Sequence, residues 1–143
     1  MVLLQHLSDI WAKEPKPIII CKGKEIYFRD LRNVQYQKLD IISKGDVVAL
    51  IGDYDPQTLA YLIKLIDLKA IIVPLTNLTN EQHDQFFDVA CVDYIICDGK
   101  ISKRNHNNRN EKIENLRQLN HAGLVAFSSG TSSTPKGILH DLS

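Results

Sequence analysis

Neither sign of charge predominates in this chain. Its 17 Lys and Arg residues stand against 17 Asp and Glu, a formal net charge of zero. A surface built to hold nucleic acid or an anionic membrane carries an excess of positive charge, so the composition argues against both partners. No apolar run approaches the roughly 20 residues that a membrane-crossing helix needs. The N-terminus has no basic flank followed by an apolar core, so no secretory signal is read there. These absences lead to the expectation of a cytoplasmic protein without a membrane span. Cysteine is scarce too: Cys21, Cys91 and Cys97 make an odd number with no Cys-x-x-Cys pair, which argues against a metal site. All three lie in apolar stretches and are read as buried structural thiols. His6, His83, His106, His121 and His140 show no zinc-ligand spacing. Two nucleotide-binding signatures are missing as well, the Gly-x-Gly-x-x-Gly fingerprint and the Gly-x-x-x-x-Gly-Lys-Ser/Thr loop.

What remains is a globular composition, 44% hydrophobic over 143 residues, enough for one core. The reading is a single α/β domain spanning 1–143. Leu4, Leu7 and Trp11 recur at helical spacing, and Pro15 and Pro17 end that helix. The segments 17–21 and 25–28 bracket Lys22-Gly23-Lys24 and read as a hairpin. Asp30 is expected to cap a helix running to about Ile42. Val47 to Ile51 is a continuous apolar run between Gly45 and Gly52, the pattern of a strand buried on both faces. Asp55-Pro56 then opens a helix, with Asp as cap and Pro at its first position. Through Leu59, Leu62, Ile63, Ile66 and Leu68 that helix is apolar nearly all round.

Strands are expected at 70–75 and 93–97. Between them lies a helix carrying Phe86, Phe87 and Val89, opened by a Thr79/Gln82 capping box. Strand, helix, strand, helix, strand implies parallel pairing through right-handed crossovers. Residues 99–110, rich in Lys, Arg, Asn and His, read as a polar loop exposed to solvent rather than as a contact for phosphate or RNA. A short helix is expected at 111–119, then a strand at 124–127.

That strand leads into Ser128-Ser129-Gly130-Thr131-Ser132-Ser133-Thr134-Pro135-Lys136-Gly137. Small and hydroxylated residues let a backbone bend close to an anion while N–H and O–H groups converge on one small volume, and such a concavity binds phosphate. Pro135 stiffens the exit, and Lys136 supplies a mobile cation.

The order of these residues resembles the phosphate-loop signature of the adenylate-forming ligases, the superfamily of acyl- and aryl-CoA synthetases, luciferases and adenylation domains. That signature runs Thr/Ser-Ser-Gly-Thr/Ser-Thr-Gly-x-Pro-Lys-Gly. Ser128, Ser129, Gly130, Thr131, Ser132, Pro135, Lys136 and Gly137 fall on it without a gap, and Ser133 stands where the family has its second Gly. Earlier elements are similar as well: Lys24 to Leu31, the Gly45-Asp46-x-Val-Ala strand, and Val73-Pro74-Leu75.

The resemblance implies a partial N-terminal subdomain of such a ligase, a largely parallel sheet with flanking helices and an N-terminal hairpin. It implies attack of a carboxylic acid on the α-phosphate of ATP, then acyl transfer to a thiol, with coenzyme A as the co-substrate of an acyl-CoA ligase. Ser128, Ser129, Gly130, Thr131, Ser132, Ser133 and Lys136 are the expected ATP phosphate-binding residues. The family's acid pocket, adenine contacts, Mg2+-coordinating Glu and catalytic Lys have no counterpart here, so the chain alone is expected to be inactive. Either self-association or another chain would supply the missing part. His140 is read as structural. Two other readings stay open: a non-catalytic truncated or split binding module, and a receiver-like domain working through Asp53, with Asp55 beside it.

Overall fold

The computed structural model describes residues 3–13, 15–34, 39–128 and 134–143. In chain order it runs α1 (Leu3–Trp11), β1 (Ile19–Cys21), β2 (Lys24–Ile26), α2 (Phe28–Arg32), β3 (Val47–Ile51), α3 (Pro56–Asp67), β4 (Ile71–Leu75), α4 (His83–Val89), β5 (Tyr94–Cys97), β6 (Lys100–Lys103), α5 (Glu111–Leu119), β7 (Gly123–Ser128) and β8 (Lys136–Asp141). β1 and β2 form the expected hairpin. Its turn residues Lys22 and Gly23 both take positive φ, as a tight two-residue hairpin turn requires.

The main sheet has the order β6-β5-β3-β4-β7-β8. β5, β3, β4 and β7 are mutually parallel, while β6 and β8 close the edges antiparallel. Every residue of β3 is buried, as a central strand covered on both faces must be. Alternation divides its side chains. Val48 and Leu50 join Tyr61, Leu65 and Ile66 of α3 on one face. Val47, Ala49 and Ile51 join Phe86 and Phe87 of α4 and Ile113 and Leu116 of α5 on the other. The crossovers from β3 to β4 and from β4 to β5 run in opposite directions along the sheet, so right-handedness puts α3 and α4 on opposite faces.

Four local expectations are corrected. The helix expected to run from Asp30 to about Ile42 is only α2. Tyr27 is its N-cap, and Asp30 sits in the first turn with its carboxylate accepting from the Tyr27 N–H at 2.9 Å. A 3-10 turn follows at Leu39–Ile41. The polar loop 99–110 begins with structure: β6 pairs with β5 about a turn in which Asp98 and Gly99 both have positive φ. Asp98-Gly99 directly after β5 was the one local signal for this hairpin.

The rest of that segment is pinned rather than loosely solvated. The Arg104 guanidinium bonds to Asp88, His106 Nε2 lies 3.0 Å from Asp93, and Asn108 donates to Asp88. Finally, the expected Thr79/Gln82 capping box does not form. Residues Asn77–Gln82 make a 3-10 turn, and Gln82 is itself the residue before α4. Of the cysteines, Cys91 is buried, whereas Cys21 and Cys97 are half-buried. Burial pushes the Cys91 and Cys97 thiols up, away from the reactive thiolate.

Candidate functional site

Because β3, β4, β5 and β7 run the same way, their carboxyl ends share one edge of the sheet. Open α/β sheets bind ligands at that edge. Three connections meet there, 52–55 after β3, 76–82 after β4 and the Asp98-Gly99 turn after β5, and β7 ends there at Ser128. Asp55 accepts from the Thr58 N–H at 2.8 Å and caps α3, with Pro56 next in line, as its sequence position implied. Asp53, Asp55, Asn77 and Asp98 border a crevice of only about 80 Å³. Among the described residues no group of His, Cys, Asp and Glu is arranged to hold a metal ion.

The Ser/Thr/Gly segment begins at Ser128 and is followed by Lys136, the facing ends of the β7–β8 ladder. Ser128 is the last residue of β7 and Lys136 the first of β8, and they stand directly opposite each other across the ladder. Both are exposed. Side chains of opposed residues in an antiparallel pair point to the same face, so the Ser128 hydroxyl and the Lys136 ammonium lie on one side of the hairpin base. Ser129, Gly130, Thr131, Ser132 and Ser133 lie outside the described residues. Gly137 serves packing: a Cβ there would meet Val125 Cγ1 at 3.0 Å and Phe127 Cε1 at 3.2 Å. At the far end of the hairpin, His121 Nδ1 sits 3.0 Å from Asp141 Oδ2. His140 on β8 is exposed.

Two features of this edge escaped the sequence reading. Tyr54 adopts φ +56° just after β3, and its hydroxyl is buried with no hydrogen-bond partner among the described residues. Burial pushes its pKa up to about 12, so it stays protonated. His83, 4% exposed, has Nε2 at 3.0 Å from the Thr76 carbonyl and 3.1 Å from Thr79 Oγ1, while Thr79 Oγ1 donates to that same carbonyl. The Thr79/His83 spacing of four was its only trace in the sequence.

This architecture is the fold of the N-terminal subdomain of adenylation domains. One match is the N-terminal subdomain of NpsA from Klebsiella oxytoca in complex with 3-hydroxybenzoyl-AMSN. It superposes with a TM-score of 0.66 at 18% identity, covering 98% of this chain and 40% of that one. An artificially fused adenylation-PCP di-domain, NpsA-ThdA from Klebsiella oxytoca, gives 0.67 at 17% identity over 99% of this chain and 32% of its own. The inhibitor-bound N-terminal domain of FACL13 from Mycobacterium tuberculosis gives 0.62 at 14% identity over 97% and 43%. The chain therefore spans about a third to somewhat over two fifths of the length of such structures. No protein-family model and no curated protein matches the sequence. Among the described residues no helix is long and apolar enough to cross a membrane.

Proposed function

We infer that this chain is the phosphate-gripping N-terminal part of an ATP-dependent ligase that activates a carboxylic acid as its acyl-adenylate. The observation that carries the reading is positional. Of the signature residues, Ser128 ends β7 and Lys136 and Gly137 open β8, at the edge where the parallel strands end, with Ser128 and Lys136 opposed across the ladder. Ser128 and Lys136 are themselves held by the strand ladder, and fixed donors favour stabilising charge that develops on a phosphate. In this role the main-chain N–H groups and hydroxyls of Ser128, Ser129, Gly130, Thr131, Ser132 and Ser133 donate to the β- and γ-phosphates, and Lys136 neutralises them. Pyrophosphate is then held in line as the acid attacks.

The described residues offer no Mg2+ ligand set. The family resemblance assigns the metal site, the acid pocket and the thiol acceptor, coenzyme A in the acyl-CoA branch, to a part outside these 143 residues. Another polypeptide supplying that part, or a second copy, is the expected partner, and the reaction is a cytoplasmic one.

ATP and pyrophosphate titrations followed by amide chemical shifts test this. Binding is expected in the high-micromolar to millimolar range, on the order of 4–6 kcal/mol. Shifts should centre on Ser128 to Lys136, and Lys136→Ala and Gly130→Val should weaken them. Shifts at Asp53 and Asp55 with none at the loop would overturn the reading in favour of a receiver-like site. The isolated chain should release no pyrophosphate with any carboxylic acid, and robust release would show that it holds a complete active site.

A further inference from the structure

β4 and β7 part company halfway along. Their ladder joins Ile71 to Gly123 and Ile72 to Leu124 and ends there among the described residues, although β4 continues to Leu75 and β7 to Ser128. The cause is legible in the main chain. The Ile71 N–H donates to Asp46, and the Leu75 carbonyl accepts from Gly52, so the odd-numbered residues of β4 bond on the β3 side. Ile72 and Pro74 therefore face β7, because successive residues of a strand bond to opposite neighbours. The next rung would need an N–H from Pro74, which has none.

The strands open into a wedge of about 300 Å³ beside Ser128. That is the lower end of the roughly 300–1,000 Å³ usual for small-molecule pockets. Its floor is aromatic: the Phe86 and Phe127 rings stack at 4.3 Å and 23°. The rim is polar and uncharged, formed by Thr76, Thr79, Gln82 and Ser128. It is also fixed in advance, since buried His83 ties Thr76 to Thr79. A rigid, uncharged rim over ring faces suits a flat ring with a neutral hydrogen-bonding substituent. A carboxylate would lose its hydration there with no cation among the described lining residues to replace it.

We propose that the wedge between β4 and β7 is a binding pocket for a neutral planar aromatic group, with its polar substituent directed to the Thr79–Gln82 rim. The site adjoins the base of the phosphate loop at Ser128, but its floor and the Thr79–Gln82 rim lie outside that loop, and its occupancy does not require ATP. The test titrates the intact chain with benzamide, benzoate and cyclohexanecarboxamide, followed by chemical shifts. Benzamide should bind saturably in the millimolar range and perturb Thr79, Gln82 and Phe127, with benzoate and the aliphatic amide weaker. Gln82→Ala, on the exposed rim, should weaken benzamide several-fold without affecting the fold.

Pro74→Val is the decisive variant. It supplies the missing N–H, lets the ladder continue and closes the wedge, so benzamide affinity should fall about tenfold or more while thermal stability holds or rises. Absence of saturable benzamide binding, shifts centred elsewhere, or undiminished binding by Pro74→Val would each overturn the proposal. ATP shifts at the loop that persist alongside such a failure would leave the ligase reading intact and remove only this pocket.

Discussion

Arg117 of α5 donates to the Asp93 carboxylate at 2.8 Å, and that one carboxylate also accepts from the Val47 N–H at 2.8 Å and meets His106 Nε2 at 3.0 Å. Arg117 Nε reaches the Gly45 carbonyl at 2.8 Å as well. A helix, the starts of β3 and β5, and the 104–110 segment are thus joined at the amino end of the sheet, opposite the candidate site. Both side chains are only about a quarter to a third exposed, 25% and 30%, so these bonds are worth more than a surface ion pair. Removing one partner leaves the other poorly satisfied. Asp93→Ala should cost about 3 kcal/mol and Arg117→Met about 2 kcal/mol in urea denaturation. The double variant should cost less than the two added together. Strict additivity would mean that the two residues act independently.

Gly52 ends β3 against α3. A Cβ there would lie 2.4 Å from Thr58 Oγ1 and 3.0 Å from its Cγ2, and Thr58 is 8% exposed with little room to turn. Gly52→Ala should therefore destabilise by about 1–3 kcal/mol through overpacking. Combining it with Thr58→Ala, which removes both close atoms, should recover much of the loss. A double variant no more stable than Gly52→Ala alone would locate the requirement in the backbone instead.

Among the described residues, three helices end in a left-handed residue that is not glycine, and at Asn120 after α5 the residue type itself tolerates that conformation. After α3, Lys69 has φ +58°, with the Ala70 N–H bonding to Leu65 and the Lys69 N–H to Ile66. After α4, Cys91 has φ +54°, with equivalent bonds from Val92 to Phe87 and from Cys91 to Asp88. Both are Schellman endings, where glycine is free of the Cβ strain of about 1–2 kcal/mol. Lys69 is exposed, so Lys69→Gly should stabilise by about 1 kcal/mol, raising Tm by roughly 3 °C. Cys91 is 4% exposed, so Cys91→Gly loses packing as well as strain and should be close to neutral. Calorimetry of the two variants checks this contrast.

Two carboxyls should move stability in opposite directions with pH. The hydrogen bond from His121 holds Asp141 below the ordinary Asp value of 3.8. Its contribution is therefore complete above that value and is lost as pH falls through the lowered folded one. Desolvation raises Asp46 instead. Its contribution is complete below the unfolded value and is lost as pH rises through the raised folded one. Carboxyl-detected NMR titration should show Asp141 moving up in His121→Ala while Asp46 stays raised. An unmoved Asp141 would discard the clasp.

Local pattern carried the elements whose reasons are local. Unbroken apolar residues with flanking glycines marked β3, Asp55-Pro56 marked the start of α3, and Lys22-Gly23 marked the first hairpin. The Ser/Thr/Gly run with Pro135 and Lys136 marked the candidate site. The misreadings came where a local preference met a partner distant in sequence. Residues 104–110 look like a solvated charge run until Asp88 and Asp93 are brought beside them. Lys100–Lys103 is too polar to read as a strand until the edge of β5 is there to pair with it.

Composition and periodicity by themselves determined an α/β chain with buried parallel strands, because burial on both faces demands unbroken apolar residues and each helix must bury one stripe. Only the tertiary structure decided the strand order, and with it which connections share the carboxyl edge. It alone set Ser128 against Lys136 and gave Pro74 a meaning. A missing N–H matters only when the chain has already placed another strand where that bond would have gone.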